Sequence, residues 1–191
     1  MTFNHNDHYH PLLTRQIPRG ARRALDVGCG TGRFARTLAA RGLDVDAVDP
    51  DKAVIDAATG QGIRYIHGDI TTMELEPGRY DYISCLASLH HVPFDTVRAL
   101  RSALAPGGVL AVLGCYRASA PSDYLFDVVA IPANAAMRLA LSGRPAPEVD
   151  APVTAPRMTL EEIRREAATL LPGVRIRRLL FWRYLLTFQA Q

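Results

Sequence analysis

Three glycines alternate with other residues directly after a short apolar run, and this segment constrains the fold more than any other. The sequence reads Leu-Asp-Val-Gly-Cys-Gly-Thr-Gly-Arg-Phe from Leu25 to Phe34. The apolar run predicts a strand, and the residues from Arg33 onward have the spacing of an amphipathic helix that stops at Gly42. Glycines at this position permit positive φ and let a ligand approach the backbone without a Cβ in the way. The segment therefore predicts a nucleotide or cofactor site at the carboxyl edge of a parallel sheet.

Strand-like and helix-like patterns alternate along residues 24–114. Short apolar runs predict strands at residues 24–27, 45–48, 63–66, 80–86 and 109–114, the last after a turn at residues 106–108. Helical spacing predicts helices at residues 33–41, 51–59 and 96–104, the second with Asp51 as its N-cap. Strands separated by helices favour an α/β fold with a parallel sheet covered on both faces.

The pattern changes after residue 114. Residues 122–143 predict one or two apolar helices bent at Pro132, and the prolines within residues 144–157 predict an extended surface loop. Thr159 and Glu162 have the spacing of a capping box, which predicts a helix through Leu171. Residues 174–180 and 183–189 predict two strands, and their short connection favours an antiparallel hairpin.

Composition restricts the class of protein. The 191 residues suit one domain, and 48% hydrophobic with 21% charged residues excludes a disordered or fibrous chain. Residues 1–11 do not resemble a secretory signal, and charged residues and a proline interrupt the apolar stretch at residues 124–141, so no membrane span is expected. A net charge of +3 is too small to indicate a nucleic-acid surface. Three cysteines without a C-x-x-C pair favour reduced thiols and a cytoplasmic location.

The residues around the glycines distinguish between kinds of cofactor. The dinucleotide fingerprint G-x-G-x-x-G does not fit, because its third glycine would fall at Arg33 and Gly32 comes one residue early. A phosphate loop does not fit either, because no Lys-Ser or Lys-Thr pair is present. Asp26 precedes the glycines, Asp49 ends the second predicted strand and Asp69 follows the third. A carboxylate at Asp49 can accept both hydroxyls of a ribose, and one at Asp69 can accept from an adenine amino group. Acids at three strand ends suit a cationic, phosphate-free adenosine ligand.

Five segments together carry a family resemblance: LDVGCGTGRF, AVDPD, HGDI, YDYISCLASLHHV and LAPGGVLAVLG. In this order and spacing, over residues 24–114, the chain resembles the class I S-adenosylmethionine-dependent methyltransferases. Within them it is similar to the small-molecule branch that includes the ubiquinone- and menaquinone-type enzymes. The resemblance implies S-adenosyl-L-methionine as cofactor and S-adenosyl-L-homocysteine as product. It also implies a Rossmann-like, doubly wound, seven-stranded sheet, mostly parallel, with an antiparallel C-terminal hairpin.

The resemblance also implies roles for particular residues. The glycine loop, made of Gly28, Cys29, Gly30 and Gly32, would lie under the methionine moiety. The other positions implied to bind the cofactor are Asp26 near its amino group, Asp49 and Pro50 at the ribose, Asp69 and Ile70 around the adenine, and Cys85 and Leu86 beside the reacting methyl. The alternative for each acid is a helix cap or a solvated loop charge.

Methyl transfer from a sulfonium needs no protein nucleophile, because the methyl group is already activated. A hydroxyl or carbon-acid acceptor needs a base, and His90 or His91, just after the fourth strand, is a candidate, with Tyr116 as a weaker one. The alternative is that the histidine pair is a loop feature that packs or contacts the cofactor. An S-adenosylmethionine-binding protein with a non-methylating role also fits the sequence, and a nicotinamide oxidoreductase fits it less well.

The resemblance divides the single domain into four parts. They are an N-terminal lid segment (1–20), a cofactor-binding core (21–115), a substrate-side insert (116–157) and a terminal helix with a β-hairpin (158–191). Tyr9 or His10 in the lid would touch the cofactor, and the alternative is a frayed terminus. The irregular spacing of His5, His8 and His10 predicts no metal site, and the acid pair of magnesium-dependent relatives is not apparent after Asp81.

The predicted insert suggests the kind of acceptor. It is mostly apolar, which suits a small hydrophobic or aromatic metabolite, although its residues could also be core or dimer surface. Four arginines of the terminal hairpin could bind an acidic substrate or simply form a charged exposed face: Arg175, Arg177, Arg178 and Arg183. The motif of nucleic-acid amino methyltransferases is absent after the fourth strand, so no nucleic-acid partner is expected. A monomer and a homodimer remain open.

Overall fold

The computed structural model describes residues 8–119, 155–180 and 182–191. Seven strands are present: β1 Arg23–Val27, β2 Asp44–Asp49, β3 Ile63–His67, β4 Tyr80–Leu86, β5 Leu104–Cys115, β6 Arg175–Arg178 and β7 Arg183–Gln189. The α-helices of the described ranges are α1 His10–Thr14, α2 Arg33–Ala39, α3 Lys52–Ala57, α4 Val97–Ser102 and α5 Leu160–Leu170. Two single-turn 3₁₀ helices, Leu89–His91 and Phe94–Thr96, connect β4 to α4.

The seven strands form one sheet in the order β3-β2-β1-β4-β5-β7-β6. The pairs within β3-β2-β1-β4-β5 are parallel, whereas β7 is antiparallel to both β5 and β6. This arrangement confirms the expected doubly wound α/β sheet with an antiparallel C-terminal hairpin. The chain leaves β1 in one direction towards β3 and returns to the other side at β4. The strand order therefore reverses between β1 and β4, and ligands of such sheets bind at this point, outside the carboxyl ends of the strands.

Two hydrophobic clusters cover the two faces of the sheet. Alternation along β4 separates them, since Ile83 and Cys85 belong to one cluster and Tyr82 belongs to the other. Helices α4 and α5 pack on the first face, and α1 and α2 pack on the second. Helix α5 begins at a complete capping box, in which Thr159 and Glu162 each bond the backbone of the other, as its sequence predicts.

A network of charged side chains joins β2, β3 and β4. The carboxylate of Asp46 accepts from Arg64 at 2.7 Å through two nitrogens and from the Tyr80 hydroxyl at 2.7 Å, and Arg79 lies 3.4 Å away. Burial acts against ionisation, but the hydrogen bonds from Arg64 and Tyr80 outweigh it and lower the pKa of Asp46. Arg79 also pairs with Glu76 at 2.9 Å, so two carboxylates balance the charges of Arg64 and Arg79.

Strand β5 differs from its prediction. It begins at Leu104 rather than at residue 109, and the helix before it ends at Ser102 rather than at residue 104. The register moves from Tyr80 opposite Leu104 to Tyr82 opposite Val109, so residues 105–108 form a bulge instead of a separate turn. Gly107 has a φ of +77° in this bulge, a conformation that glycine adopts without strain.

The hairpin also differs in detail. Strand β6 covers Arg175–Arg178 and is shorter than the predicted 174–180, because the Leu179 amide already donates to the Arg183 carbonyl and closes the turn. The predicted helices at residues 122–143 and most of the predicted insert lie outside the described residues. Within the described ranges, no helix combines the length and the apolar character that crossing a bilayer requires.

Candidate active site at the carboxyl edge of the sheet

The glycine loop after β1 is clamped at both ends and open in the middle. Its three glycines have φ values of +69° at Gly28, +54° at Gly30 and +77° at Gly32. A Cβ at Gly28 would lie 2.2 Å from the Cβ of Ser88, and one at Gly32 would lie 2.2 Å from the Tyr65 hydroxyl. A Cβ at Gly30 would meet no atom within 4 Å. The backbone at Gly30 is therefore the part of the loop that a ligand can approach.

Asp26 is a buried carboxylate, two positions before the loop. Only 1% of its surface is exposed, and its Oδ1 accepts a hydrogen bond from the Ser84 hydroxyl at 2.8 Å. Its Oδ2 is also buried and has no hydrogen-bond partner among the described residues. Burial raises the pKa of Asp26 to about 7, although the bond from Ser84 opposes the shift. An unsatisfied buried carboxylate oxygen is suited to binding a cationic donor such as an ammonium group.

Asp49 links the end of β2 to the glycine loop. Its Oδ2 accepts from the Gly30 amide at 2.9 Å, and its Oδ1 accepts from the Asp51 amide at 3.0 Å. An ionised carboxylate offers about four lone-pair positions, so each oxygen of Asp49 can still accept a further hydrogen bond. Pro50, which follows Asp49, is exposed at the same edge. This geometry suits the ribose role that the sequence predicts for these residues.

Asp69 and Ile70 follow the end of β3. The Oδ1 of Asp69 accepts from both the amide and the hydroxyl of Thr71 at 2.8 Å, and these bonds lower the pKa of this exposed carboxyl. They are the bonds of a local turn, which is the alternative that the sequence leaves open for Asp69. Ile70 is buried, with 7% of its surface exposed. An adenine contact for this pair stays a prediction.

The two cysteines of the predicted site are both buried. The Cys29 thiol lies 3.4 Å from the Gly30 carbonyl, to which it donates, and Cys85 has no exposed surface. Burial raises the pKa of both thiols well above the usual range. Because the whole residue is enclosed, backbone included, a cofactor contact for Cys85 stays a prediction. Leu86, the last residue of β4, is half-buried at the edge.

The candidate bases occupy different surroundings. His90 and His91 end the 3₁₀ turn beyond β4, with their ring centroids 4.0 Å apart, and His91 is exposed while His90 is half-buried. Tyr116 has 2% of its surface exposed, and its hydroxyl accepts from Nε of Arg178 at 2.9 Å. These contacts favour a packing role for Tyr116 and leave His91 as the more accessible candidate.

Tyr9 anchors the N-terminal segment to the terminal hairpin. Its side chain is 7% exposed and packs in the cluster that contains Cys29 and Phe34, and its hydroxyl donates to the Leu180 carbonyl at 3.1 Å. Burial raises the pKa of Tyr9. The His10 ring packs edge-on against Phe34, with centroids 4.9 Å apart. The segment from residue 8 to residue 14 is thus docked beside the glycine loop, and His5 lies outside the described residues.

Three further residues shape the site and were missed by the sequence reasoning. The Ser88 hydroxyl donates to the Val27 carbonyl at 2.7 Å. As described above, Ser84 donates to Asp26, and the Tyr65 hydroxyl lies against Gly32. A polar residue within the apolar run of β4 was a usable signal for Ser84. No such signal was available for Tyr65 and Ser88, because their contacts depend on which strands are neighbours. Within the ranges described, no group of three or more potential metal ligands occurs.

Comparisons with known proteins identify the family of the chain. A family model described as "Methyltransferase domain" matches residues 24–108. The chain is 36% identical to an uncharacterized methyltransferase of Mycobacterium tuberculosis over 195 residues, which cover 98% of this chain and 97% of that protein. It is 33% identical to the ubiquinone biosynthesis O-methyltransferase of Marinobacter nauticus over 128 residues, or 61% of this chain and 53% of the relative.

A solved structure shows the same fold. The S-adenosylmethionine-dependent methyltransferase from Mesorhizobium loti matches 97% of this chain and all of its own, with a TM-score of 0.66 and 18% identity. The residues present suit that cofactor, since Asp26 offers a buried acceptor to its ammonium group and the open backbone at Gly30 leaves room for it. The chain belongs to the S-adenosylmethionine-dependent methyltransferases.

Proposed function

We propose that this enzyme transfers the methyl group to a small, largely hydrophobic or aromatic metabolite by in-line displacement. The observation that carries the proposal is a set of apolar side chains along the carboxyl edge of the sheet, from the end of β4 to the turn of the hairpin. Leu86 ends β4, Leu179 and Leu180 form the turn of the hairpin, and all three are half-buried apolar side chains at the carboxyl edge. Trp182, in the same turn, is the exposed large hydrophobic residue of the described ranges, at 38%. The ubiquinone O-methyltransferase relative supports an acceptor of this kind.

The acids and the glycine loop would orient the cofactor, which supplies a methyl group activated by a positively charged sulfur. Asp26 in its ionised form would bind the ammonium group, and Asp49 would accept from the ribose hydroxyls. Asp69 and Ile70 would lie against the adenine. The residues bind and orient and need not become covalently attached. Correct alignment of two reacting groups contributes about 7–11 kcal/mol to lowering a barrier when it is ideal.

The reaction balances without a further reactant. A lone pair of the acceptor forms the bond to the methyl carbon while the carbon–sulfur bond breaks and its electrons stay on sulfur. An acceptor that is a hydroxyl or a carbon acid loses a proton, and we infer that His91 accepts it. The exposure of His91 directly beyond β4 supports this role. Residues 8–14, docked through Tyr9, would help to exclude water from the reacting groups.

The test follows the methyl label from S-adenosylmethionine. Purified enzyme is incubated with a bacterial extract separated into low-mass and macromolecular fractions, and label in each fraction is counted. We expect label in a low-mass, organic-extractable product. Label confined to RNA or protein would overturn the acceptor class, and no transfer to any fraction would overturn the proposed activity. The variant Asp49→Ala should lose labelling, whereas Asp44→Ala, at the exposed opposite end of the same strand, should keep it.

A further inference from the structure

Arg183 begins β7 at the carboxyl edge of the sheet. In the register of the sheet it lies opposite Cys115, the last residue of β5. Strand β5 separates β7 from β4, and β4 separates them from the strands that carry Asp26 and Asp49. If ribose and adenine lie over β2 and β3, the acceptor approaches from the side of β5 and β7. Arg183 therefore lies on the acceptor side of the proposed site.

Within the described residues, the guanidinium of Arg183 makes one hydrogen bond. Its hydrogen-bond partner in the described ranges is the Cys115 sulfur, 2.6 Å from Nη1. Burial raises the pKa of Cys115, against the influence of Arg183, so this sulfur is a neutral thiol at physiological pH. A guanidinium has five N–H donors, and one neutral thiol neither uses most of them nor neutralises the charge.

Other arginines near the sheet differ in this respect. Arg64 and Arg79 form ion pairs with Asp46, and Arg178 donates to Tyr116 on the opposite face of the hairpin. Arg183 forms no ion pair with an acidic side chain of the described residues. A partly buried cation without a counter-ion is unfavourable unless a ligand supplies one.

A second arginine adds to the positive charge of this face. Arg177 lies opposite Leu185, two positions along β7 from Arg183, so Arg177 and Arg183 occupy the same face of the hairpin. Burial raises the pKa of Tyr9, and the charges of Arg183 and Arg177 both act in the opposite direction. Both arginines are therefore close enough to Tyr9 to make this corner of the site electropositive.

We propose that Arg183, assisted by Arg177, binds an oxyanion of the methyl acceptor. The acceptor is then a small molecule with an apolar body, held against Leu179 and Leu180, and a carboxylate or phosphate group, held by the guanidinium. Guanidinium groups bind both kinds of oxyanion through two parallel hydrogen bonds. The proposal rests on the proposed function, and it specifies the substrate class of the same site.

The first experiment separates acceptors by charge. The low-mass extract is passed over an anion exchanger, and the retained and unretained pools are each incubated with enzyme and methyl-labelled S-adenosylmethionine. We expect label in products from the retained pool. Prior phosphatase treatment of that pool should abolish labelling if the oxyanion is a phosphate and leave it unchanged if it is a carboxylate. Label only in products from the unretained pool would overturn the oxyanion proposal and leave the proposed function standing. No label from either pool would overturn both.

Variants then assign the binding to Arg183. With the retained pool as substrate, Arg183→Met should raise the KM for the acceptor at least tenfold while the Kd for S-adenosylmethionine stays unchanged. Arg183→Lys keeps the charge but loses the paired donors, and it should give an intermediate KM even if the Met variant folds poorly. The control is Arg98→Met, on an exposed position of α4. An unchanged KM for Arg183→Lys and Arg183→Met, or an equal rise for Arg98→Met, would overturn the proposal.

Discussion

The Ser84 hydroxyl on β4 donates to Oδ1 of Asp26 on the neighbouring strand β1, and this bond joins the two strands at which the order of the sheet reverses. It holds one carboxylate oxygen in place and leaves Oδ2 for a ligand. Asp26 is therefore oriented before any cofactor arrives. The cost is a carboxyl group that is hard to ionise, since burial raises its pKa to about 7.

Cofactor affinity should depend on pH through Asp26. Below pH 7 the carboxyl of the free enzyme is largely protonated and cannot pair with an ammonium group, so the Kd for S-adenosylmethionine should fall from pH 6 to pH 8. Calorimetric titration across this range measures the effect. Asp26→Asn should bind about tenfold to a hundredfold more weakly at pH 8, with a flat profile. If Asp26→Asn keeps the wild-type pH profile, a group other than Asp26 causes the pH dependence of the Kd.

The same residue should make the cofactor-free protein less stable at and above neutral pH than at pH 4. The pKa of Asp26 is raised from about 3.8 in the unfolded chain to about 7, so the folded state binds the proton more tightly between these values. Its contribution to the free energy of unfolding then decreases as pH rises through that window, by on the order of 4 kcal/mol in total. Urea unfolding should show Asp26→Asn more stable than wild type at pH 8, by more than any difference at pH 4. Equal differences at both pH values would contradict this account.

The glycines of the loop should respond differently to alanine. Gly28→Ala places a Cβ against Ser88 and should lower the free energy of unfolding by about 2–4 kcal/mol. Gly30→Ala meets open space and should cost only the roughly 1–2 kcal/mol of a left-handed backbone, while weakening cofactor binding. Denaturant unfolding and equilibrium dialysis together separate the two effects. Equal losses of stability in both variants would show that the loop is not clamped at Gly28.

His91 should affect turnover more than binding. If it accepts a proton from the acceptor, His91→Gln should lower kcat by about a hundredfold or more and change the KM little. His90→Gln is the matched comparison, because its ring lies 4.0 Å from that of His91 but is less exposed. Steady-state rates with the identified acceptor decide the matter. A wild-type kcat for His91→Gln would leave the histidine pair as a loop feature.

Local chemistry explains why much of the fold could be predicted. The alternation of strands and helices, the Asp51 N-cap and the Thr159 capping box each depend on residues within a few positions, and each is present in the structure. The alternating glycines likewise predicted the turn that follows β1, beside the point where the strand order reverses. The bulge at residues 105–108 was missed because Pro-Gly-Gly is typical of a turn, and only pairing with β4 shows that the strand continues through it.

Contacts between distant segments could not be predicted in the same way. Ser88 against Gly28, Tyr65 against Gly32 and the thiol of Cys115 against Arg183 depend on strand order and register. A one-residue change of register turns every side chain of a strand to the other face. The type of cofactor could thus be inferred from the sequence. The side chains that orient the proposed binding residues could not.

The bond between Tyr9 and Leu180 spans 171 positions of the sequence, and this separation orders events during synthesis. The glycine loop and the parallel strands of a growing chain leave the ribosome long before residue 180 does. Until then the Tyr9 hydroxyl has no Leu180 carbonyl to bond, and its docking beside the loop is incomplete. The residues proposed to bind the cofactor are thus synthesised early, whereas Tyr9 can complete its contacts only when translation has reached the last hairpin.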